Sequence, residues 1–244
     1  MKFSIVRRNT VPSTNDEAKA LAREGAAAGT VVTAASQTSG RGTKGRGWDS
    51  PPGLGLYVSV ILKPPVDVLA LLPLAAGLAA LASVERSAGV RAFLQWPNDL
   101  FWEGRKMGGV LCESGFTGAV LDFAVVGIGI NIGQEEGDFP GDLRGRAVSL
   151  RAAAGRPVEA EAVLGALLPA LDAWMARLAA EGGAAIAASF AARAVPEIGA
   201  PIILDRGEGP FPACYEGIGP DGSLLVSTDS GPRRFLSAEI LRLG

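Results

Sequence analysis

Residues 37–48 read QTSGRGTKGRGW and lie between two strand-like runs, TVVTAA at 30–35 and LYVSVIL at 56–62. Gly40, Gly42, Gly45 and Gly47 disfavour a regular helix or strand across this span, so the chain must pass from one strand to the next through an open loop. Successive main-chain N–H groups in such a loop can form an anion-holding concavity, with Arg41, Lys44 and Arg46 adding positive charge. Taken alone, the loop reads equally as a plain turn. Gly40 to Gly45 matches GxGxxG formally, but Pro51, Pro52 and a β-rich run follow where that motif needs a helix. The Walker A spacing fails as well, because Arg46 and Gly47 stand where Lys and Ser/Thr are required.

The chemistry available is narrowed by one absence. The 244 residues contain no histidine, which removes Ser-His-Asp and Cys-His catalysis and histidine metal ligation. Lys, Arg, carboxylates and the backbone are left to act. Two cysteines, Cys112 and Cys214, give neither a disulfide framework nor a multi-cysteine metal site, and point to a reducing cytoplasm. A net charge of −2 provides no overall field for nucleic acid or anionic lipid, so any basic residues that matter act locally. MKFSIVRR lacks a signal-peptide core, and the apolar run 68–82, interrupted by Pro73 and Gly77, is short for a bilayer and reads as a core helix.

Along the chain, residues 3–8 alternate like a strand and VPSTNDEAKALAREG follows. Thr14 with Glu17, or Ser13 with Asp16, has capping-box spacing; the same Ser13-Thr14-Asn15 triplet could instead hold a polar ligand at a helix start. Residues 67–88 predict a helix apolar nearly all round and therefore buried. Strand-like pieces come next, with a hairpin turn at Glu103-Gly104, then KMGGVLCES and the apolar strand LDFAVVGIGINI. Residues 156–193 read as two or three helices interrupted at Pro169 and Gly182-Gly183. Beyond Pro196 about five short β-prone runs suggest a small barrel or sandwich, with the boundary near Val195.

Five motifs then line up: Ser13-Thr14-Asn15; Gln37 with GRGTKGR; Trp96-Pro97-Asn98-Asp99; Gly104-Arg105-Lys106-Met107-Gly108-Gly109; and Gly127-Ile128-Gly129-Ile130-Asn131. In this order and spacing they resemble the biotin protein ligases (biotin–[acetyl-CoA-carboxylase] ligases), over essentially the whole chain. The resemblance implies an α+β fold: a mixed β-sheet with flanking helices, of the class II aminoacyl-tRNA synthetase and biotin ligase kind, in residues 1–195. It adds a small SH3-like β-barrel in residues 196–244. The implied reaction has two steps. Biotin and ATP, with Mg²⁺, give biotinyl-5′-adenylate, and the acyl group then passes to a lysine of a biotin carboxyl carrier domain of a carboxylase.

On that resemblance, Lys106 is the central catalytic residue, with Arg41 and Arg46 beside it. Ser13, Thr14, Asn15, Gln37, Gly40, Arg41, Gly42, Thr43 and Lys106 would surround biotin, and Gly109, Leu111, Gly127, Gly129 and Ile130 would line its apolar part. Arg46, Trp48, Trp96, Asn98, Lys106 and Asn131 would serve ATP, and Asp99 would touch Mg²⁺ or cap a turn. Either tryptophan has a plain core packing as its alternative. A fixed ammonium between a carboxylate and an α-phosphoryl group acts most where charge accumulates, in the transition state. Two departures stand out: Thr43 where bacterial members carry a second loop arginine, and Gln95 where a lysine is common. The first predicts looser retention of the adenylate, the second weaker ATP binding. No N-terminal DNA-binding domain is expected, since the first motif begins at Ser13. Family members occur as monomers and dimers, leaving a homodimer open. A lipoate or octanoate ligase of the same core fold and a non-catalytic biotin- or nucleotide-sensing module are the alternatives. An RNA-binding reading is disfavoured by the acidic balance.

Overall fold

The computed structural model describes residues 1–243; Gly244, the end of the segment expected as 196–244, lies outside the described residues. Seven strands form one mixed sheet: β1 (Ser4–Val11), β2 (Thr30–Gln37), β3 (Gly55–Leu62), β4 (Phe93–Gln95), β5 (Asp99–Trp102), β6 (Arg105–Thr117) and β7 (Val120–Asn131), ordered β1-β2-β3-β7-β6-β5-β4. Only β1 and β2 run parallel, joined across the sheet by α1 (Thr14–Arg23). The β5–β6 hairpin turns where expected, with Glu103 and Gly104 both at positive φ.

Strand alternation decides what each face does. In β7 the even residues Ala124, Val126, Ile128 and Ile130 are buried in one large core with α2 (Leu72–Ala88) and α4 (Ala160–Ala191). Each fully buried Leu or Ile there contributes about 1.5–3 kcal/mol relative to exposure. The odd residues Phe123 and Val125 pack with Ala18 and Ala22 of α1. Further along that second face come Gly127, under the first turn of α1, and Gly129, beyond it, where a cleft begins.

The helix expected over 67–88 starts as a 3₁₀ turn, Val66–Leu71, before α2 proper, and ends on Gly89 in the left-handed region. Together these turns make a stretch long and apolar enough to cross a membrane by length and composition, as does α4; run length alone therefore does not exclude a span. Eleven buried residues of α2 and its packing under the sheet account for the apolar composition. The two or three helices expected over 156–193 are two helical segments, together α4 and meeting at Gly182, after the short α3 (Leu150–Ala154). Pro169 is carried inside α4, and the backbone breaks only at Gly182.

The C-terminal part is a separate antiparallel five-stranded sheet with barrel-like character: β8 (Pro201–Asp205), β9 (Pro210–Ile218), β10 (Leu224–Thr228), β11 (Gly231–Phe235) and β12 (Glu239–Leu243), ordered β11-β10-β9-β8-β12. Its apolar residues, among them Ile202, Leu204, Leu224, Val226 and Ile240, join the large core. Two hydrogen bonds tie it to the first sheet: Trp96 Nε1 donates to the Gly222 carbonyl at 2.9 Å, and Gln95 Nε2 to that of Ile240 at 3.3 Å.

Candidate active site

A cleft of about 710 Å³ opens on the face that α1 leaves bare, with the Gly-rich loop over it and β12 at its rim. That size suits a small organic ligand. Its floor is built from missing side chains. A Cβ on Gly127 would stand 2.1 Å from Asn15 Oδ1, and one on Gly129 would stand 2.6 Å from the Trp48 ring. Only glycine lets those two side chains lie on the strand.

At one end, Ser13, Thr14 and Asn15 are buried at the start of α1. Neither capping box forms: Ser13 takes the cap position but its side chain makes no capping bond. Gln37, from β2, replaces it, its Oε1 accepting from Thr14 N–H at 2.8 Å and from the Thr14 hydroxyl at 3.2 Å, while Nε2 donates to Ser50. The Ser59 hydroxyl, fully buried on β3, lies 2.8 Å from Thr14 Oγ1 and 2.6 Å from Asn15 Oδ1. Asn15 Nδ2 donates to Glu113 Oε2 at 2.8 Å and to the Leu111 carbonyl at 3.3 Å. These bonds fix the orientation of Thr14, Asn15, Gln37 and Ser59 before any ligand arrives.

At the other end stands Lys106. Strict alternation from Gly109, which faces the cleft, would turn Lys106 to the opposite face. The β5–β6 register shifts between Leu100 and Phe101, however, skipping Met107. This bulge buries Met107 in the core and re-aims Lys106 into the cleft. Its ammonium pairs with Asp99 Oδ2 at 2.7 Å and lies 5.6 Å from the Trp48 ring centroid. Asp99 Oδ1 and Trp48 Nε1 are buried without hydrogen-bond partners. The amide nitrogens of Asn98 and Asn131, which also line the cleft, are committed to the backbone. Asn98 donates to the Val110 carbonyl at 2.6 Å, and Asn131 to the Lys106 and Val148 carbonyls at 3.5 and 3.3 Å.

The Gly-rich loop is less free than expected. It folds back as a small hairpin, with Gly42 N–H donating to the Arg46 carbonyl and Trp48 N–H to that of Gly40, each at 2.8 Å. Those donors are spent inside the loop rather than aimed at an anion. All three cations are paired: Arg41 with Asp16 and Glu113, Lys44 and Arg46 with Glu239 on β12. The Arg41 guanidinium holds the Asp16 carboxyl well down, to about 2. Burial works against the charge of Glu113, but hydrogen bonds from Lys19 and Asn15 and the nearby charges outweigh it and leave its pKa lowered.

Most of the expected residues therefore converge: Ser13, Thr14, Asn15, Gln37, Arg41, Gly42, Thr43, Arg46, Trp48, Asn98, Asp99, Lys106, Gly109, Leu111, Gly127, Gly129 and Asn131 all line the cleft. Three do not. Trp96 is a core residue whose indole N–H is spent on Gly222, so its alternative reading holds. Ile130 points to the opposite face of β7, as alternation demands, and is buried in the core. Gly40 is needed for loop closure instead, since a Cβ there would meet the Trp48 carbonyl oxygen at 2.5 Å. Missed were Asp16, Ser59, Glu113 and Glu239. Ser59 had a signal: it is a fully buried polar residue on an otherwise apolar strand.

A family model, the biotin/lipoate A/B protein ligase family, matches residues 7–131, from the first strand to the end of the cleft floor. The chain belongs to that family. It is 33% identical over 239 residues to the biotin–[acetyl-CoA-carboxylase] ligase of Paracoccus denitrificans, covering 93% of this chain and 96% of that one. To the bifunctional ligase/repressor BirA of Bacillus subtilis (strain 168) it is 32% identical over 238 residues, 97% of this chain and 73% of the relative. In structure it resembles the biotin protein ligase from Aquifex aeolicus solved in complex with biotin and ATP, with a TM-score of 0.85, 28% identity and 99% of each chain covered. The mixed sheet, flanking helices and small C-terminal sheet are those of that fold.

Proposed function

We propose that the cleft activates biotin with ATP and passes it to a lysine of a biotin carboxyl carrier domain. The chain is an ATP-dependent, AMP-forming ligase. A biotin carboxylate oxygen attacks the α-phosphorus, pyrophosphate leaves, and biotinyl-5′-AMP remains. The carrier lysine nitrogen then attacks the acyl carbon, the acyl–oxygen bond breaks, AMP leaves and the nitrogen loses a proton. The observation that carries this reading is the bulge that turns Lys106 into the cleft beneath the loop. There the ammonium lies where a carboxylate and a phosphate would be driven together, and it relieves their repulsion as charge builds.

The polar end formed by Ser13, Thr14, Asn15 and Gln37 suits the ureido head of biotin, and Gly127, Gly129, Gly109 and Leu111 suit its valerate. Trp48, Asn98, Asn131 and Arg46 line the part left for the nucleotide. Mg²⁺ would neutralise phosphate charge. Among the described residues no group of three metal-ligating side chains occurs, so the ion would be held chiefly by phosphates, with the unpartnered Asp99 Oδ1 its one protein ligand. The division after Val195, with an SH3-like barrel beyond it, and a cytoplasmic setting consistent with free Cys112 and Cys214 belong to the same reading.

Incubation with biotin, MgATP and a carrier domain should add one biotin-sized mass to the carrier, whereas lipoate should add nothing. Lys106→Ala should abolish adenylate formation and leave biotin binding measurable. Full adenylate formation by that variant would overturn the assignment.

A further inference from the structure

Two carboxylates outside the motifs, Asp16 on α1 and Glu113 on β6, meet at the edge of the cleft with Lys19 and the loop's Arg41. Arg41 straddles both. Its Nη1 and Nη2 grip the two oxygens of Asp16, the second at 2.7 Å, and Nη2 also reaches Glu113 Oε2 at 3.2 Å. Lys19 Nζ closes the ring, 2.6 Å from Glu113 Oε1 and 3.0 Å from Asp16 Oδ1. The four charges cancel, and Arg41 is anchored by a fork that lysine could not reproduce. Glu113 Oε2 also accepts from Asn15, which lies on Gly127 and bonds to Ser59. One unbroken chain of contacts thus runs from the loop to the wall of the polar end of the cleft.

We infer that Asp16 and Glu113 are positioning residues: acting through Arg41, they hold the near half of the Gly-rich loop closed over the polar end of the cleft and so set how tightly biotin and its adenylate are kept. This rests on the function proposed above. The Arg41 side chain is turned onto carboxylates, so its contribution is to place the backbone of Arg41 and Gly42 rather than to touch reacting atoms. Without the anchors the loop opens, and apparent affinity falls in proportion to the closed fraction. ATP affinity should be nearly untouched, because the far half of the loop has its own anchor in Glu239.

The test uses Asp16→Asn, Glu113→Gln and Arg41→Lys in the full-length chain, with separate KM values for biotin and ATP. It also follows the loss of biotinyl-adenylate after rapid desalting. Glu113→Gln keeps an acceptor for Asn15, and Asp16 is surface-accessible enough for its variant to fold. A closed fraction lowered to about a tenth would raise the biotin KM about tenfold and speed adenylate loss similarly, with the ATP KM within twofold. Arg41→Lys should fall between wild type and the carboxylate variants. Unchanged biotin KM and adenylate lifetime in all three variants would overturn the inference. So would a parallel fall of every kinetic constant with Tm, which a merely structural role produces. Failure of the wild-type chain itself to form the adenylate would instead overturn the proposed function.

Discussion

Gly127→Ala isolates a single contact. The added Cβ would stand 2.1 Å from Asn15 Oδ1 and 2.9 Å from its Cγ, where ordinary contact begins at 3.4 Å. Asn15 must retreat by roughly 1.3 Å, since the backbone of β7 is held on both sides by β3 and β6. Such a shift takes Asn15 out of reach of Ser59, Glu113 and the Leu111 carbonyl, now at 2.6, 2.8 and 3.3 Å. Two bonds between neutral groups and one to a carboxylate, partly replaced by water from the cleft, amount to a loss of about 2–3 kcal/mol. Denaturant unfolding and calorimetric titration with biotin would show how that loss divides between stability and binding. The decisive measurement is a double-mutant cycle. In an Asn15→Ala background the obstruction is gone, so Gly127→Ala should add less than about 0.5 kcal/mol. Equal costs in the two backgrounds would mean that the glycine serves something other than the seating of Asn15, and the close-approach reasoning would fail.

Thr43→Arg restores a guanidinium at the tip of the loop, where Thr43 lines the cleft. One added charge-assisted bond should slow adenylate release about tenfold, read as the fraction retained after desalting; equal lifetimes would dispose of the idea that this position loosens retention. Trp96→Phe leaves the Gly222 carbonyl without its donor and should cost about 1–3 kcal/mol, seen as a lowered Tm, with the ATP KM unchanged because the indole faces the core. A large rise in that KM would return Trp96 to the nucleotide site. The Asp16 carboxyl, held down to about 2 by Arg41, contributes stability that is fully present above the ordinary carboxylate pKa of about 3.9 and lost as pH falls toward 2. Between those limits wild type should lose stability faster than Asp16→Asn. The difference should be no more than about 1 kcal/mol for so exposed a pair, and parallel acid-unfolding profiles would contradict the pairing.

The fold was legible where one rule governs a long stretch: alternation in β7, the all-round apolar character of α2, and the turn at Glu103-Gly104. Most of the cleft was legible too, because its motifs come in a fixed order. What was not legible depends on distance in the chain. Nothing near Ser13 announces that its helix is capped by Gln37, and nothing near Glu239 announces that Lys44 and Arg46 lie against it. Lys106 does face the cleft, but the physical reason is a one-residue bulge that no periodicity in KMGGVLCES reveals. Trp96 and Ile130 went astray for opposite reasons. The tryptophan sits in a motif that otherwise faces the cleft, and the isoleucine was grouped with glycines on the other face of its strand.

Charge was the weakest guide as a sum and the strongest as a map. A chain of net charge −2 has no overall attraction for a polyphosphate, yet its positive charge is distributed unevenly within one cleft. At the polar end Arg41 and Lys19 are matched by Asp16 and Glu113; at the other end Lys106 is matched by Asp99. At the far half of the loop Lys44 and Arg46 share the single carboxylate of Glu239, and Arg146, Asp49 and Asp142 also line the cleft. Charges lining a cleft act on a ligand more strongly than the whole-chain charge does from a distance. The neutral end is therefore suited to a ligand that carries its polarity in hydrogen bonds. The end where Arg46, Lys106 and Arg146 stand is suited to one that carries it in phosphates. That asymmetry is the electrostatic form of a site that must join a ureido-bearing acid to a nucleotide.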